Sequence, residues 1–435
     1  MSDTHARTVA YVRDTMLPEQ TPPVTERGAV KWMRENLFNG WLSTVLTILS
    51  LLVVAWLVAE MGPWLMRSIW NAGSLTECRR IWAEAGVPPG ACWGVINDRL
   101  NQLLFGFYPP HLYWRPVLAL VLLLVALAPI LFPSVPRKLI WFSAIYPFVA
   151  YFLLWGGTIW LPVSAALGFV VGGAALILLR PLGTLPAVAA AILAPIIWWV
   201  VAAGAFTAAM NGILPIGHEF VRSDRFGGFL ISLVIGVTGI SLSLPLGILL
   251  ALGRQSDMVL IKSVCVIFIE FIRGVPLITL LFTASLLLNY FLPPGTSFDL
   301  VLRVIIMVTL FAAAYMAEVI RGGLAALPRG QYEAADALGL DYWKAQRLII
   351  MPQALKIAIP GIVNTFIGLF KDTTLVVFIG LLDPIGLSNA IRASSDWQGI
   401  YWELFIFIGA VFFIFCFGMS RYSMYLERRL RTDHR

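Results

Sequence analysis

Among the ionisable residues inside or at the rim of apolar runs in the second half of the chain, four could meet a substrate or one another: Glu270, Arg273, Glu318 and Asp372. On insertion scales an unpaired charge at the bilayer centre costs roughly 2.5–3.5 kcal/mol, so each needs a partner or a purpose. Their types match what a zwitterion needs when it leaves water. Arg273 offers a planar donor fork to a carboxylate, Glu318 and Asp372 can receive an ammonium, and Thr373 and Thr374 add hydroxyls. Gly274 and Pro276, beside Arg273, interrupt the helix at depth and expose backbone groups of the kind that line substrate cavities. The competing reading has Arg273, Glu270, Glu318 and Asp372 pairing with one another to fix helix packing, and some mutual pairing is expected either way.

A second stretch, Gln331 to Leu355, is the most polar and helix-prone interval in this half. Glu333-Ala334-Ala335 is followed by Gly339, then by Ile349 and Pro352. Two short helices broken at Gly339 are expected, because glycine tolerates the positive φ that ends the first. Small Ala334 and Ala335 let that helix seat in a groove of another protein, with Glu333 offered to a basic partner. Pro352 suits the first turn of the next helix.

The elements that must position these residues are membrane helices. The 435 residues are 59% hydrophobic and 13% charged, with a mean hydropathy of +0.83, against roughly 25% charged in soluble domains. Ten spans fit, at about 41–66, 116–133, 139–156, 163–179, 186–205, 228–252, 263–289, 301–325, 355–372 and 401–425. An even count puts both termini on one side. Arg27, Lys31, Arg34, Arg137, Lys138, Arg180, Arg254, Lys262, Arg421, Arg428, Arg429 and Arg431 fall there, which makes that side the cytoplasm. The long outer loop 67–115 holds several arginines, but long loops obey the rule weakly. The opening residues lack the basic-then-apolar order of a cleaved signal and read as a cytoplasmic tail.

Spans before about 205 are nearly free of ionisable residues, whereas charges and helix breakers crowd the part from 226 onward, where function is expected. Pro360-Gly361 reads as a hinge or a static kink, Gly322-Gly323 as a close helix contact, and Arg321 as an interfacial anchor. Cys265 and Cys416 lie in apolar runs as packing residues; Cys78 and Cys92 share the outer loop, and whether they pair stays open, since sequence does not fix their Cα distance. There is no Gly-Lys dipeptide, hence no Walker A loop, and His5, His111, His218 and His434 make no metal-ligand spacing. The charge of +7 belongs to membrane flanks rather than to a nucleic-acid surface.

The Glu333-Ala334-Ala335, Gly339 and Ile349-x-Met351-Pro352 spacing resembles the cytoplasmic loop of ATP-binding-cassette importer permeases, with Met351 where leucine is usual. Phe271-Ile272-Arg273-Gly274-Val275-Pro276-Leu277, the run Ala314 to Gly323, and Lys371-Asp372-Thr373-Thr374-Leu375 are similar to segments of polar amino-acid permeases. Val275 departs from that pattern by replacing a threonine. The extra N-terminal spans resemble the long permeases of general L-amino-acid or glutamate/glutamine/aspartate/asparagine uptake systems.

This resemblance implies an all-α polytopic fold with a type I importer core. Its parts are a tail and lead-in helix at 1–40, an accessory region at 41–225, a permease core at 226–425 with a coupling loop at 326–350, and a tail at 426–435. It implies a bacterial inner-membrane subunit that catalyses no covalent step and moves polar L-amino acids inward. Expected partners are an ATPase dimer that binds ATP and Mg and grips Glu333, Ala334, Ala335 and Gly339, a periplasmic binding protein, and a second, non-identical permease. The rival is an ion-gradient-driven transporter, but such folds often show two matching halves, and no internal repeat is visible.

Overall fold

A computed structural model describes residues 28–287, 290 and 299–430, the side chains at 185 and 286 excepted. Residues 1–27 of the tail and lead-in helix expected at 1–40, residues 288–289 of the span expected at 263–289, and residues 431–435 of the tail expected at 426–435 lie outside that set. The chain divides into two compact units, Met1–Ile69 with Ile81–Ala91 and Trp70–Arg80 with Cys92–Arg435.

The first unit holds helices α1 (Gly28–Asn36) and α2 (Trp41–Met66). Thr47 Oγ1 donates to the Leu37 carbonyl at 2.7 Å, which sets the turn between them. At about 1.5 Å per residue α2 is roughly 39 Å long, ample for a 30 Å hydrocarbon core.

In the second unit, α3 (Leu75–Glu84, its last turn shared with the first unit) and α4 (Gly94–Phe105) form a hairpin closed by a Cys78–Cys92 disulfide with Cα atoms 6.1 Å apart. The Leu75 amide donates to the Asp396 carbonyl at 2.8 Å, Trp397 Nε1 to Asp98 at 2.9 Å, and the Cys92 amide to Glu403 at 2.8 Å. Accessory helices follow as α5 (Trp114–Leu131), α6 (Ile140–Trp155), α7 (Trp160–Leu179), α8 (Thr184–Ile197) and, past a π-turn, α9 (Ala203–Ile213). A two-residue antiparallel pairing, Gly157 with His218 and Thr158 with Gly217, ties the chain after α6 to the chain after α9. Arg115 is fully buried there and donates to the carbonyls of Leu153, Glu219 and Phe152, three acceptors that replace its water.

The remaining helices are α10 (Gly228–Gln255), α11 (Val259–Gly274), α12 (Leu277–Phe282), α13 (Leu300–Ala325), α14 (Arg329–Ala337), α15 (Tyr342–Ala345), α16 (Met351–Asp372), α17 (Pro384–Arg392) and α18 (Trp402–Leu430). Among the described residues nine helical runs are long and apolar enough to span a membrane, or ten if one bent pair counts as a span. The count agrees with the sequence expectation, and the bent pair is informative. The span expected at 263–289 breaks at Val275 into α11 and α12, which meet at 105°. Val275 is extended (φ −108, ψ 133), as a residue before proline must be, and Pro276 has no N–H to continue the ladder.

The second difference lies in the span expected at 355–372, where the helical run is Tyr342–Ile379. The short helix after Gly339 does not end before the membrane; a π-turn, Gln346–Ile350, carries it into α16, closed by the Met351 amide on the Gln346 carbonyl. Pro352 brings no N–H to the Leu348 carbonyl, which favours the wider turn at this point. Small residues let α10, α13 and α16 approach closely: a Cβ on Gly247 would lie 2.7 Å from Met316, and one on Gly323 would lie 2.5 Å from the Ala354 carbonyl. Gly322, by contrast, faces open space, so the close contact expected of the pair belongs to Gly323 alone.

Candidate functional site

Three helices bring charged side chains to one node. Glu318 of α13 receives Arg321 Nε on Oε1 at 2.8 Å, with a second contact from Arg321 Nη2, and Arg254 Nη1 on Oε2 at 3.3 Å. Arg273 Nη1 of α11 lies 3.6 Å from the same carboxylate, and Arg254 Nη1 also donates to Glu270 at 2.8 Å. Three guanidinia therefore face two carboxylates. Arg321, expected as an interfacial anchor, instead pairs with Glu318 one helical turn away, because i and i+3 share a face. Arg254, read from sequence as a membrane-flanking charge, reaches back from the last turn of α10 into the node.

Arg273 is the least satisfied member. Its Nε has no hydrogen-bond partner among the described residues, and its guanidinium carbon lies 5.7 Å from the Tyr315 ring centroid. Tyr315 in turn lines a cavity of about 480 Å³ between α13 and α16. Phe311, Ala312 and Val319 line it from α13, and Gly361, Asn364, Thr365, Gly368 and Asp372 from α16. Positions 361, 364/365, 368 and 372 form one face of a helix, about 16 Å long at 1.5 Å per residue. The volume is that of a small-molecule site.

Asp372 stands at one end of this strip and accepts no hydrogen bond from the described residues, whereas Glu318, one helical turn beyond Tyr315, is held by the arginines. Thr373 is fully buried, its hydroxyl bonded to the Phe370 carbonyl at 2.7 Å; the Thr374 hydroxyl bonds the Lys371 carbonyl at 2.9 Å. Neither lines the cavity.

On α14, Glu333 and Ala334 are exposed, while Ala335 is buried against its own chain. Gly339 has φ +67, the left-handed turn expected of it. Asp341 then caps α15 by accepting from the Lys344 amide at 2.9 Å, and its hydrogen bond to the Lys344 side chain holds its carboxyl below the usual aspartate range. Leu338, Tyr342, Trp343 and Leu348 leave an apolar rim exposed around this elbow.

Arg115 and Arg303 were not singled out in the sequence. Arg303 is buried at the start of α13 and donates to the Ser285 carbonyl at 2.8 Å, which holds the end of the broken span. An arginine two to three residues inside an expected span was the available signal.

A broken span, a mostly apolar cavity that carries Asn364, Thr365 and Asp372, and an exposed elbow are the features a membrane permease needs. Residues 243–432 match the family described as binding-protein-dependent transport system inner membrane component. The chain belongs to the permease subunits of amino-acid ATP-binding-cassette transporters. It is 61% identical over 439 residues, covering 100% of both chains, to the glutamate/glutamine/aspartate/asparagine transport system permease protein BztC of Rhodobacter capsulatus. It is 38% identical over 408 residues, 93% of this chain and 94% of the relative, to the inner membrane amino-acid ABC transporter permease protein YhdY of Escherichia coli. A crystal structure of an amino acid ABC transporter with histidines is similar at 30% identity and a TM-score of 0.42, over 46% of this chain and 91% of that one. Membership in the family assigns this chain to an ATP-driven importer and sets aside the ion-gradient reading.

Proposed function

We propose that the chain conducts acidic and amide L-amino acids from a periplasmic binding protein to the cytoplasm, taking its direction from a relative whose name gives those substrates. The cavity beside Asp372 carries this reading, because it sets a carboxylate that accepts no hydrogen bond from the described residues, together with Asn364 and Thr365, in an otherwise apolar lining. Asp372 takes the ammonium. Arg273, beyond Tyr315, takes the carboxylate from Glu318 in a later step, since the two groups of one amino acid lie only about 2.5 Å apart by standard geometry and cannot bridge the strip. Thr373 and Thr374 shape the turn above Asp372.

Glu333 and Ala334 face an ATPase dimer that binds ATP and Mg, Ala335 seats α14 on this chain, and Gly339 makes the elbow. A second, non-identical permease closes the open side of the cavity. Both termini are cytoplasmic, as the Lys and Arg distribution favours. Nucleotide binding displaces α14 and turns the pathway outward; hydrolysis resets it.

The complex purified with its partners and placed in proteoliposomes tests this. Asp372→Asn should raise the apparent KM about 10- to 100-fold, the scale of one charge-assisted contact. An unchanged KM refutes the role of Asp372. Ala334→Cys should crosslink to the ATPase; a parent complex in which it captures none refutes the coupling role.

A further inference from the structure

The elbow is joined to the cavity-lining helix by a pair of amides. Gln353 Nε2, in the first turn of α16, donates to Gln331 Oε1 of α14 at 2.9 Å and to the Ile349 carbonyl at 3.0 Å. The pair is half-buried, where a hydrogen bond contributes more than on an open surface. Its setting is a joint rather than a plain helix. Pro352 beside it lacks an N–H, the π-turn Gln346–Ile350 precedes it, and Gln346 is buried with an Oε1 that has no hydrogen-bond partner among the described residues. A buried acceptor without a donor is destabilising, and π-turns recur at functional sites. A joint of this kind bends unless something fastens it.

We propose that Gln331 and Gln353 are positioning residues for transport: their bond makes α16 follow α14 as one body across the π-turn, so that a displacement of α14 reaches Gly361, Asn364 and Asp372. Without it, α14 moves and the π-turn absorbs the displacement. Neither glutamine lines the cavity, so their role is transmission and not substrate contact. The inference rests on the reading that a partner displaces α14.

The test uses the full complex in proteoliposomes and measures amino acid imported per ATP hydrolysed. Gln331→Leu and Gln353→Leu should each lower that ratio about tenfold, the scale of one lost hydrogen bond, with KM unchanged. The double variant should be no worse than either single, since both remove the same bond. Gln331→Glu keeps the acceptor and should keep the ratio within about twofold of the parent. Should the leucine variants fold poorly, Gln331→Ala removes the acceptor without adding bulk and should lower the ratio in the same way. A parental ratio in Gln331→Leu and Gln353→Leu, or in Gln331→Ala, overturns the proposal. If the Ala334→Cys crosslink to the ATPase persists in those variants, the failure is the clasp's alone; if it is absent in the parent, the coupling reading falls and takes the clasp with it.

Discussion

Replacing Glu318 by Gln probes the node at its centre. One Glu318 oxygen serves Arg321 and the other serves Arg254, with Arg273 nearby. Glutamine keeps a single acceptor. Its best placement leaves that oxygen on Arg321 and turns the amide NH₂ toward Arg254 and Arg273, so one charge-assisted bond is lost. Three guanidinia then face Glu270 alone. A hydrogen bond to a charged group is worth about 1.5–3 kcal/mol; the Glu318 side chain is 24% exposed, so solvent recovers part of the loss. A net cost of about 2 kcal/mol follows, a roughly 30-fold shift toward the opened state at 1.4 kcal/mol per decade. Glu270→Gln supplies the internal contrast: Glu270 is half exposed and its hydrogen bond goes to Arg254, so its cost should stay below about 1 kcal/mol. Cys265 is a built-in reporter. It packs against Gly253, next to Arg254, and a Cβ on that glycine would lie 2.4 Å from its sulfur. In a Cys416→Ser background, a thiol-reactive dye reads the melting of this region in detergent. If Glu318→Gln melts with the parent and with Glu270→Gln, the node does not brace α10, α11 and α13, and the argument from its geometry is wrong.

Asp383 lies between spans, is fully buried, and caps α17 by accepting from the Gly386 and Ile385 amides. Burial raises its carboxyl from 3.8 to about 6, partly offset by those amides. Its contribution to stability is therefore complete below pH 4 and is lost as pH rises through 6, a fall of about 2–3 kcal/mol. Asp383→Asn keeps an acceptor and should flatten stability between pH 4 and 7, which pH-resolved melting checks; an unchanged slope rejects the assignment. The Cys78–Cys92 bridge closes a separation of 14 residues, so Cys78→Ser should cost about 3 kcal/mol, and in the denatured parent without reductant only Cys265 and Cys416 should accept a thiol label. Gly339→Asp should abolish uptake while leaving ligand binding by the periplasmic protein intact, and uptake at the parental rate removes the elbow from the mechanism.

Much of this was legible in the chain. Apolar runs of 17–25 residues are forced by bilayer thickness, so most spans could be placed to within several residues, the one expected at 355–372 excepted. Gly339 announced its turn because few other residues accept φ +67, and Gly274 with Pro276 marked the break beside Arg273. What sequence did not carry is which charges meet. Arg254 and Glu318 are 64 residues apart and are joined only by how α10 and α13 pack; Arg321 read as a membrane anchor although its partner Glu318 stands three residues away on the same helix face. The continuation of the elbow into α16 was hidden for a different reason: a π-turn has no strong residue signature, and Pro352 reads equally well as a helix start.

The disulfide-closed hairpin has a bearing on biosynthesis. The Cys92 amide meets Glu403 across 311 positions, and Asp98 meets Trp397 across 299. A ribosome delivers the early member of each pair long before the late one, at about 5–20 residues per second. Residues 92–98 consequently stay without these bonds until the last membrane helix has been inserted. Their docking is a sign that synthesis has reached the far end, and any nascent chain stopped before Trp397 leaves that surface bare.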